Sequence, residues 1–268
     1  MAGDTGGAVP DFLGPGDPPP FELVNPEGRG RLVLFSDHAG RAIPRRLGTL
    51  GLTQAQLDQH IGWDIGIGAL AHRLAAALDA PAVLCTYSRL VIDCNRRLDD
   101  PTSIAQESDR ILVPGNRGLS AAERKARQQA IFAPYHRAVS DVIARKIAEG
   151  PAPAILSLHS FTPTMNDFAR PWHVGVLWHR DPRFPVPLMA RLLQEPGLIV
   201  GDNEPYSGRD EHGYSIPAHA EAHGLPHALI EMRQDLIGDE DGVARWADCL
   251  VRVLKDVLAD ERVYAPRG

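Results

Sequence analysis

The sequence has few cysteines and no long apolar segment. Cys85, Cys94 and Cys249 are scattered through 268 residues, and none belongs to a C-x-x-C motif. An odd, scattered set favours reduced, buried thiols over a disulfide framework or a cysteine-based metal site. No apolar run approaches the roughly 20 residues that cross a bilayer, and the N-terminus lacks the basic start and apolar core of a signal peptide. We therefore expect a soluble, cytoplasmic protein that does not span a membrane.

The sequence also lacks an excess of positive charge. Its 28 lysines and arginines are outnumbered by 34 aspartates and glutamates, which gives a net charge of −6. Nucleic-acid binding needs a basic surface that replaces counterions, so this balance argues against it. A few arginines in one pocket are still enough to bind a small anionic substrate.

Several common catalytic motifs are missing. The sequence contains no G-x-S-x-G nucleophile motif and no Walker phosphate loop. The glycines of the segment 62–68 have the wrong spacing for a dinucleotide-binding fingerprint. These absences argue against serine hydrolases of the nucleophile-elbow type and against nucleotide-binding enzymes.

The composition predicts one domain preceded by a tail. Residues 1–20 are crowded with glycine and proline and have little apolar surface, so we expect a flexible N-terminal tail there. Residues 21–268 have no further break in composition, and the 44% hydrophobic content of the chain is enough for one large core.

Short apolar runs alternate with longer segments of helical periodicity, the pattern of a mixed, mostly parallel α/β sheet flanked by helices. We predict strands at residues 31–35, 82–87, 154–158, 173–178, 198–200 and 227–230, and helices at 66–78, 120–149, 187–194 and 242–260. Residues 201–215 are rich in turn formers and charge, and we expect them to form a loop near the functional site.

Polar side chains follow five of the apolar runs. The runs lead into Ser36-Asp37-His38, Cys94-Asn95-Arg96-Arg97, His159-Ser160, Gly201-Asp202-Asn203-Glu204 and Glu231-Met232-Arg233. Ligands of open α/β sheets bind outside the carboxyl ends of the strands. We therefore interpret all five runs, including residues 90–93, as strands that deliver polar groups to one rim.

Two of these strand ends carry histidines that could bind a metal. His38 and His159 could each offer a neutral imidazole, and a catalytic zinc takes three protein ligands with one position left open. Asp64 is our first candidate for the third ligand, although it could instead cap the following helix; Asp37 and His60 are the alternatives.

A second histidine pair is less suited to metal binding. His219 and His223 are four residues apart on one helical face, but the glutamate between them is not at the position that the H-E-x-x-H motif requires. We favour a substrate contact for His219 over a metal role.

The remaining candidates are a base and a carboxylate-binding group. Glu231 and Arg233 should leave the same face of their strand, and Glu231 could act as general base towards a metal-activated water. An ion pair with an arginine is the structural alternative for Glu231. Asn95 and Arg96 offer an amide and a planar guanidinium, which suit a substrate carboxylate, although a solvated turn explains the pair equally well.

Six blocks of the sequence resemble the N-formylglutamate amidohydrolase family, in order along the chain. They are SDHAGRAIP (36–44), HIGWDIG (60–66), NR (95–96), LHSF (158–161), NEPYS (203–207) and IEMRQDLI (230–237). The resemblance implies a fold of the zinc carboxypeptidase and aspartoacylase type. It also implies one Zn²⁺ per chain and hydrolysis of a small anionic N-acyl amino acid, foremost N-formyl-L-glutamate to L-glutamate and formate.

The resemblance also implies roles for individual residues. His38 and His159 correspond to the histidine ligands, Asn95 and Arg96 to the carboxylate-binding pair, and Glu231 to the catalytic glutamate, with Arg233 a further candidate for substrate binding. In the wider group a carboxylate ligand lies three residues after the first histidine. This sequence has Arg41 there, so the third ligand must come from elsewhere.

Two other functions remain compatible with the sequence. One is an amidohydrolase or peptidase for another N-acyl amino acid or a short peptide. The other is a non-catalytic relative that binds acidic metabolites.

Overall fold

The structure is a computed structural model that describes residues 12–210 and 213–266. The strands are β1 (Phe21–Val24), β2 (Leu32–Ser36), β3 (Ala82–Cys85), β4 (Glu107–Ser108), β5 (Ile111–Leu112), β6 (Ala154–Phe161), β7 (Thr164–Met165), β8 (Phe168–Ala169), β9 (Val174–Leu177), β10 (Val200–Asp202) and β11 (His227–Arg233). The α-helices are α1 (Gln54–Leu57), α2 (Ile67–Ala77), α3 (Ala121–Arg127), α4 (Ala133–Glu149), α5 (Pro185–Leu192), α6 (Ser215–His219) and α7 (Glu240–Leu258).

Seven of the described strands form one mixed sheet in the order β1-β3-β2-β6-β11-β9-β10. The four inner strands β3, β2, β6 and β11 are parallel, β9 is antiparallel to β11, and β1 is antiparallel to β3. The remaining strands form two short hairpins, β4–β5 and β7–β8. The four parallel strands direct their carboxyl ends to one edge of the sheet, as the sequence predicts for β2, β6 and β11. β10 is parallel to β9 and runs in the opposite direction, so the prediction that residues 201–204 reach the same rim is wrong.

Helices cover both faces of this sheet, and each face has its own core. Alternate residues of β6 show the division: Leu156 and Leu158 belong to the core under α2, α5 and α7, whereas Ile155 belongs to the core under α4. In β11 the side chains opposite α7 are His227, Leu229 and Glu231, because Ala228, Ile230 and Met232 belong to the α7 core. The predicted fold class is confirmed.

Most predicted elements are present with shifted ends. The predicted helix 120–149 begins after the Ser120 capping box and continues as α3 and α4, joined by a π-helical turn at Gln128–Phe132. The prediction of a strand at residues 90–93 is wrong, since these residues form a buried turn. Side chains satisfy its backbone: Asn116 donates to Leu90 O and Arg127 to Val91 O.

The predicted N-terminal tail lies only partly within the described residues. Residues 1–11 lie outside them. Residues 12–20 contact the domain: Phe12 packs against the core under α4, and the Tyr87 hydroxyl donates to Pro18 O at 2.7 Å. This part of the predicted tail is therefore bound along the domain.

The cysteines are free thiols, as the sequence indicates. Cys85 and Cys94 are buried and Cys249 is half-buried. Among the helices that the structure describes, none combines the length and the apolar composition needed to cross a membrane.

Candidate functional site

A cavity of about 740 Å³ opens at the carboxyl ends of the parallel strands. Its walls come from the segment after β2, the loop 89–97, the ends of β6 and β9, the segment 206–218 and the outer side of β11. Residues 206–210 and 213–214 of the predicted loop 201–215 line the cavity, whereas residues 211–212 lie outside the described residues.

His38, Asp64 and His159 form a buried cluster in this cavity. One ligand atom from each lies within 4.8 Å of those of the other two. The two imidazoles face each other through their Nδ1 atoms at 3.2 Å, and Asp64 Oδ2 lies 2.8 Å from His159 Nδ1. The sequence predicts these three residues as the metal ligands, and the structure brings them together.

A carboxylate lies behind each imidazole. Asp93 Oδ1 is 2.7 Å from His38 Nε2, and Asp37 Oδ2 is 3.3 Å from His159 Nε2. A carboxylate is an acceptor, so Nε2 is the nitrogen that would carry the proton of each neutral ring, and Nδ1 would then offer its lone pair to a metal. A metal-binding histidine typically donates its other ring nitrogen to a carboxylate in this way.

The donor set of this cluster fits a divalent cation. Two Nδ1 atoms and one carboxylate oxygen lie around the same small volume, and with a metal bound both rings would be neutral and would direct their lone pairs at it. Two imidazoles and one carboxylate with an open fourth side form the donor set of catalytic zinc sites. The residues present could therefore hold a zinc ion.

In the metal-free protein these histidines keep protons instead. Burial disfavours the charged ring of His159, but the hydrogen bonds to Asp37 and Asp64 outweigh it and raise its pKa to about 10. For Asp37, burial is outweighed by the contacts with His159 and His38, which lower its pKa to about 2. The acceptors thus attract positive charge, which a metal ion would supply.

The local backbone turns Asp64 towards the cavity. Gly66 is the N-cap of α2 at φ 82° and its added Cβ would lie 2.1 Å from Ile237 O, so this turn requires glycine. The Asp64 carboxylate makes no capping bond to α2 and accepts from the Ser160 amide at 3.2 Å. The alternative that Asp64 is a helix cap is therefore wrong.

Glu231 lies beside this cluster. It is the register partner of His159 on the adjacent strand, it is buried, and its Oε2 has no hydrogen-bond partner among the described residues. Burial raises the pKa of Glu231 to about 7, against the opposite effect of the His159 and His38 rings. The alternative of an ion pair between Glu231 and an arginine finds no support among the described ion pairs, none of which includes Glu231.

Three residues of the loop 89–97 bring polar groups to the cavity wall near the cluster. Asn95 Oδ1 accepts the backbone amides of Tyr214 and Ser215 at 2.9 and 3.1 Å. Arg96 lines the same wall and donates to Asn95 O at 3.2 Å. Arg89, which the sequence does not single out, donates to Asp93 Oδ2 at 3.0 Å and lies 3.6 Å from Asp64 Oδ1.

Two predicted substrate contacts do not line the cavity. The Arg233 guanidinium makes two hydrogen bonds to Asp235, at 2.8 and 3.3 Å. His219 is buried against His136, with 2.8 Å between His219 Nε2 and His136 Nδ1. Neither belongs to the described lining of the cavity, so the predictions for Arg233 and His219 do not fit their positions.

The two alternative metal ligands have other partners. Asp37 contacts the far nitrogen of His159 and accepts from the hydroxyls of Tyr135 and Ser215. His60 lines the cavity but lies 3.3 Å from Asp109. Neither belongs to the metal-binding group found among the described residues.

Asp93, like Arg89, is a functional candidate that the sequence did not identify. The apolar run before it suggests only the end of a strand, and its contact with His38 joins residues 55 positions apart. The available signal was its position two residues before Asn95, whose backbone amide it accepts at 2.8 Å.

Comparisons with known proteins find a family model and similar solved structures. The family model described as N-formylglutamate amidohydrolase matches residues 30–238. The crystal structure of gene product Atu2144 from Agrobacterium tumefaciens is 33% identical, with a TM-score of 0.89, and the match covers 92% of this chain and 98% of that chain. The N-formylglutamate amidohydrolase from Ralstonia eutropha JMP134 is 23% identical, with a TM-score of 0.69 and coverage of 90% and 97%, and this similarity concerns the fold. Among curated proteins, none matches the sequence.

Proposed function

This chain belongs to the N-formylglutamate amidohydrolase family, and from that premise we propose that it hydrolyses the amide bond of an N-formyl or N-acyl amino acid. N-formyl-L-glutamate, cleaved to L-glutamate and formate, is the first candidate substrate. One observation carries this proposal: three buried groups that could hold a metal ion converge in the cavity beside Glu231, whose Oε2 has no hydrogen-bond partner among the described residues.

His38, Asp64 and His159 are the proposed ligands of one zinc ion per chain. Asp93 and Asp37 orient the two rings from behind and keep the Nδ1 lone pairs directed at the ion. Zinc held there would act as a Lewis acid that polarises the acyl carbonyl and acidifies water.

Glu231 is the proposed general base. Its Oε2 is buried and accepts no hydrogen bond from the described residues, so it is available to a water molecule in the cavity. Its pKa, raised to about 7 by burial, suits a group that takes a proton from water and returns it to the departing amine nitrogen.

Asn95, Arg96 and Arg89 form the proposed binding region for the substrate carboxylates. Asn95 has its side-chain oxygen engaged by the Tyr214 and Ser215 amides, so its amide nitrogen is the group that would donate to substrate. The two arginines add positive charge to a wall of the cavity that also lies near the carboxylates of Asp64 and Asp93.

Formate release from a panel of N-formyl amino acids tests this function. The zinc-loaded protein should release formate from N-formyl-L-glutamate and contain about one zinc per chain, and chelator treatment should abolish the reaction. A protein that binds these compounds without cleaving them, with or without zinc, would contradict hydrolysis and support a metabolite-binding role.

A further inference from the structure

The cavity continues past Glu231 along the outer side of β11. His227, Leu229 and Glu231 alternate along this strand, so their side chains lie on one face, and all three line the same cavity. Glu231 is the member next to the metal-binding cluster. His227, at the start of the strand, is four residues away, or about 13 Å at ~3.3 Å per residue.

The middle of this extension is apolar. Leu229 is the register partner of Leu177 on the antiparallel neighbour β9, and both line the cavity. Ile216 and Pro217 of α6 line it as well. A hydrocarbon chain would fit this stretch, whereas a charged group would lose its hydration without gaining a partner.

The far end presents two hydrogen-bond acceptors. His227 Nδ1 lies 2.8 Å from Leu225 O and must donate to that carbonyl, so Nε2 of the neutral ring is an acceptor. His227 is 2% exposed, and its Nε2 has no hydrogen-bond partner in the described part of the chain. The Glu221 carboxylate, which also lines the cavity, lies 3.6 Å from that nitrogen.

We propose that His227 and Glu221, with Leu229 and Leu177 before them, form a distal subsite for a protonated primary amine at the end of an apolar arm of the substrate. An ammonium group carries three donors and a positive charge, so it can donate to both acceptors at once. This proposal rests on the proposed function. It specifies the substrate class further, as N-acyl amino acids with a cationic side chain.

The length of the extension matches such a side chain. Subtracting about 3 Å at each end for hydrogen-bond contacts leaves roughly 7 Å between the reacting carbonyl and the amine. An extended chain covers ~1.2 Å per bond, so about six bonds fill the gap. The ornithine and lysine derivatives have six and seven bonds between the formyl carbon and the terminal nitrogen.

The charged residues of the cavity are also distributed as a substrate with a carboxylate at one end and an ammonium group at the other requires. Arg89 and Arg96 lie near the metal-binding cluster, where the α-carboxylate would bind. Near His227, the buried Asp181 is already paired with Arg183 at 2.6 Å, whereas Glu221 lines the cavity. N-formyl-L-glutamate would occupy the proximal part alone.

The test compares two substrates that differ in one amine. In the zinc-loaded protein, kcat/KM for Nα-formyl-L-lysine should exceed that for N-formyl-L-norleucine by about tenfold, the effect of a charge-assisted hydrogen-bond pair. Glu221→Gln should reduce this ratio to near one. Glu107→Gln, at an exposed strand position outside the cavity lining, is the matched control and should keep it.

A ratio near one in the wild-type protein, or a ratio that Glu221→Gln leaves unchanged, would overturn the subsite. Calorimetric binding of both compounds to Glu231→Gln protein separates this result from a failure of the proposed function. If no formyl compound is cleaved but the lysine derivative binds about tenfold more tightly and loses that advantage with Glu221→Gln, the subsite stands and hydrolysis fails. Cleavage of both compounds without preference would support hydrolysis and exclude the subsite.

Discussion

At the scale of single residues, two buried carboxylates contact the histidines proposed as metal ligands. His38 and His159 each have one ring nitrogen towards the cluster and the other towards a buried carboxylate, Asp93 or Asp37. These carboxylates fix which nitrogen carries the proton, and the orientation of each ring follows from that choice.

Asp93→Asn should weaken zinc binding by about 10- to 100-fold, because the amide keeps the shape of the carboxylate but loses the charge that makes His38 a strong ligand. Competition with a fluorescent chelator measures the zinc affinity. Asp99→Asn changes an exposed aspartate two residues beyond Arg97 and serves as the control. Equal zinc affinity of wild-type and Asp93→Asn protein would remove this role.

Glu231→Gln should lower kcat by about 10²- to 10⁴-fold while the Kd for substrate stays within a few-fold, since the variant removes the proton acceptor and keeps the shape of the side chain. Formate-release assays and calorimetry give the two numbers. Glu107→Gln is the control again. Turnover at the wild-type rate would show that another group takes the proton.

The sequence could predict those site residues that lie at the end of a strand or directly after it. His38, His159 and Glu231 come after or within buried strands, and the parallel arrangement of those strands brings them together. Asp93 and Arg89 could not be assigned in this way, because their roles depend on contacts with His38 and Asp64 that link distant parts of the chain.

At the scale of elements, Asn95 joins two walls of the cavity. Its side-chain oxygen accepts two backbone amides at the start of α6, and its own backbone amide donates to Asp93. This carboxamide therefore links the loop 89–97 to the segment that leads into α6.

Substitutions of Asn95 should separate its structural contact from its proposed contact with substrate. Asn95→Ala leaves two amides without their acceptor and should lower the free energy of unfolding by about 1–3 kcal/mol. Asn95→Asp retains the acceptor and should keep most of the stability, yet its negative charge should raise KM for carboxylate substrates. Urea unfolding and steady-state kinetics measure the two effects; equal KM values for Asn95→Asp and wild type would exclude the substrate contact.

The prediction of secondary structure failed where a buried apolar segment does not form a strand. Residues 90–93 are apolar and buried like a strand, but Asn116 and Arg127 satisfy their carbonyl groups in place of a neighbouring strand. The sequence places Arg233 on the strand face of Glu231, and it offers His219 as a substrate contact, but it does not give the partner of either side chain. In the structure His219 contacts His136, and Arg233 contacts Asp235.

At the scale of the whole molecule, the seven-stranded sheet concentrates buried charge in its centre. His159 and Glu231 pair on the inner strands β6 and β11, and the pKa of each is raised, to about 10 and about 7. The stability of the metal-free fold is therefore linked to proton binding at the site.

Metal-free protein should lose stability as the pH rises from 6.5 to 9.5. The unfolded histidine has a pKa near 6.5, whereas folded His159 holds its proton to about pH 10; the folded state therefore binds more protons in this window, and the free energy of unfolding falls as pH rises. Urea unfolding in the presence of chelator measures it. Zinc-loaded protein should have a shallower slope, because the ion replaces the proton, and a rising curve for the metal-free protein would contradict the assignment.

The pairing of Glu231 with His159 in the ladder between β6 and β11 has an evolutionary consequence. The spacing of His159 and Glu231 is set by the interior of the sheet, whereas residues 206–210, 213–214 and 216–218 at its rim line much of the remaining wall. The pairing in the sheet and the substrate preference can therefore change independently during evolution. Related proteins would gain new substrates through substitutions at the rim and keep the same pair of residues in the sheet.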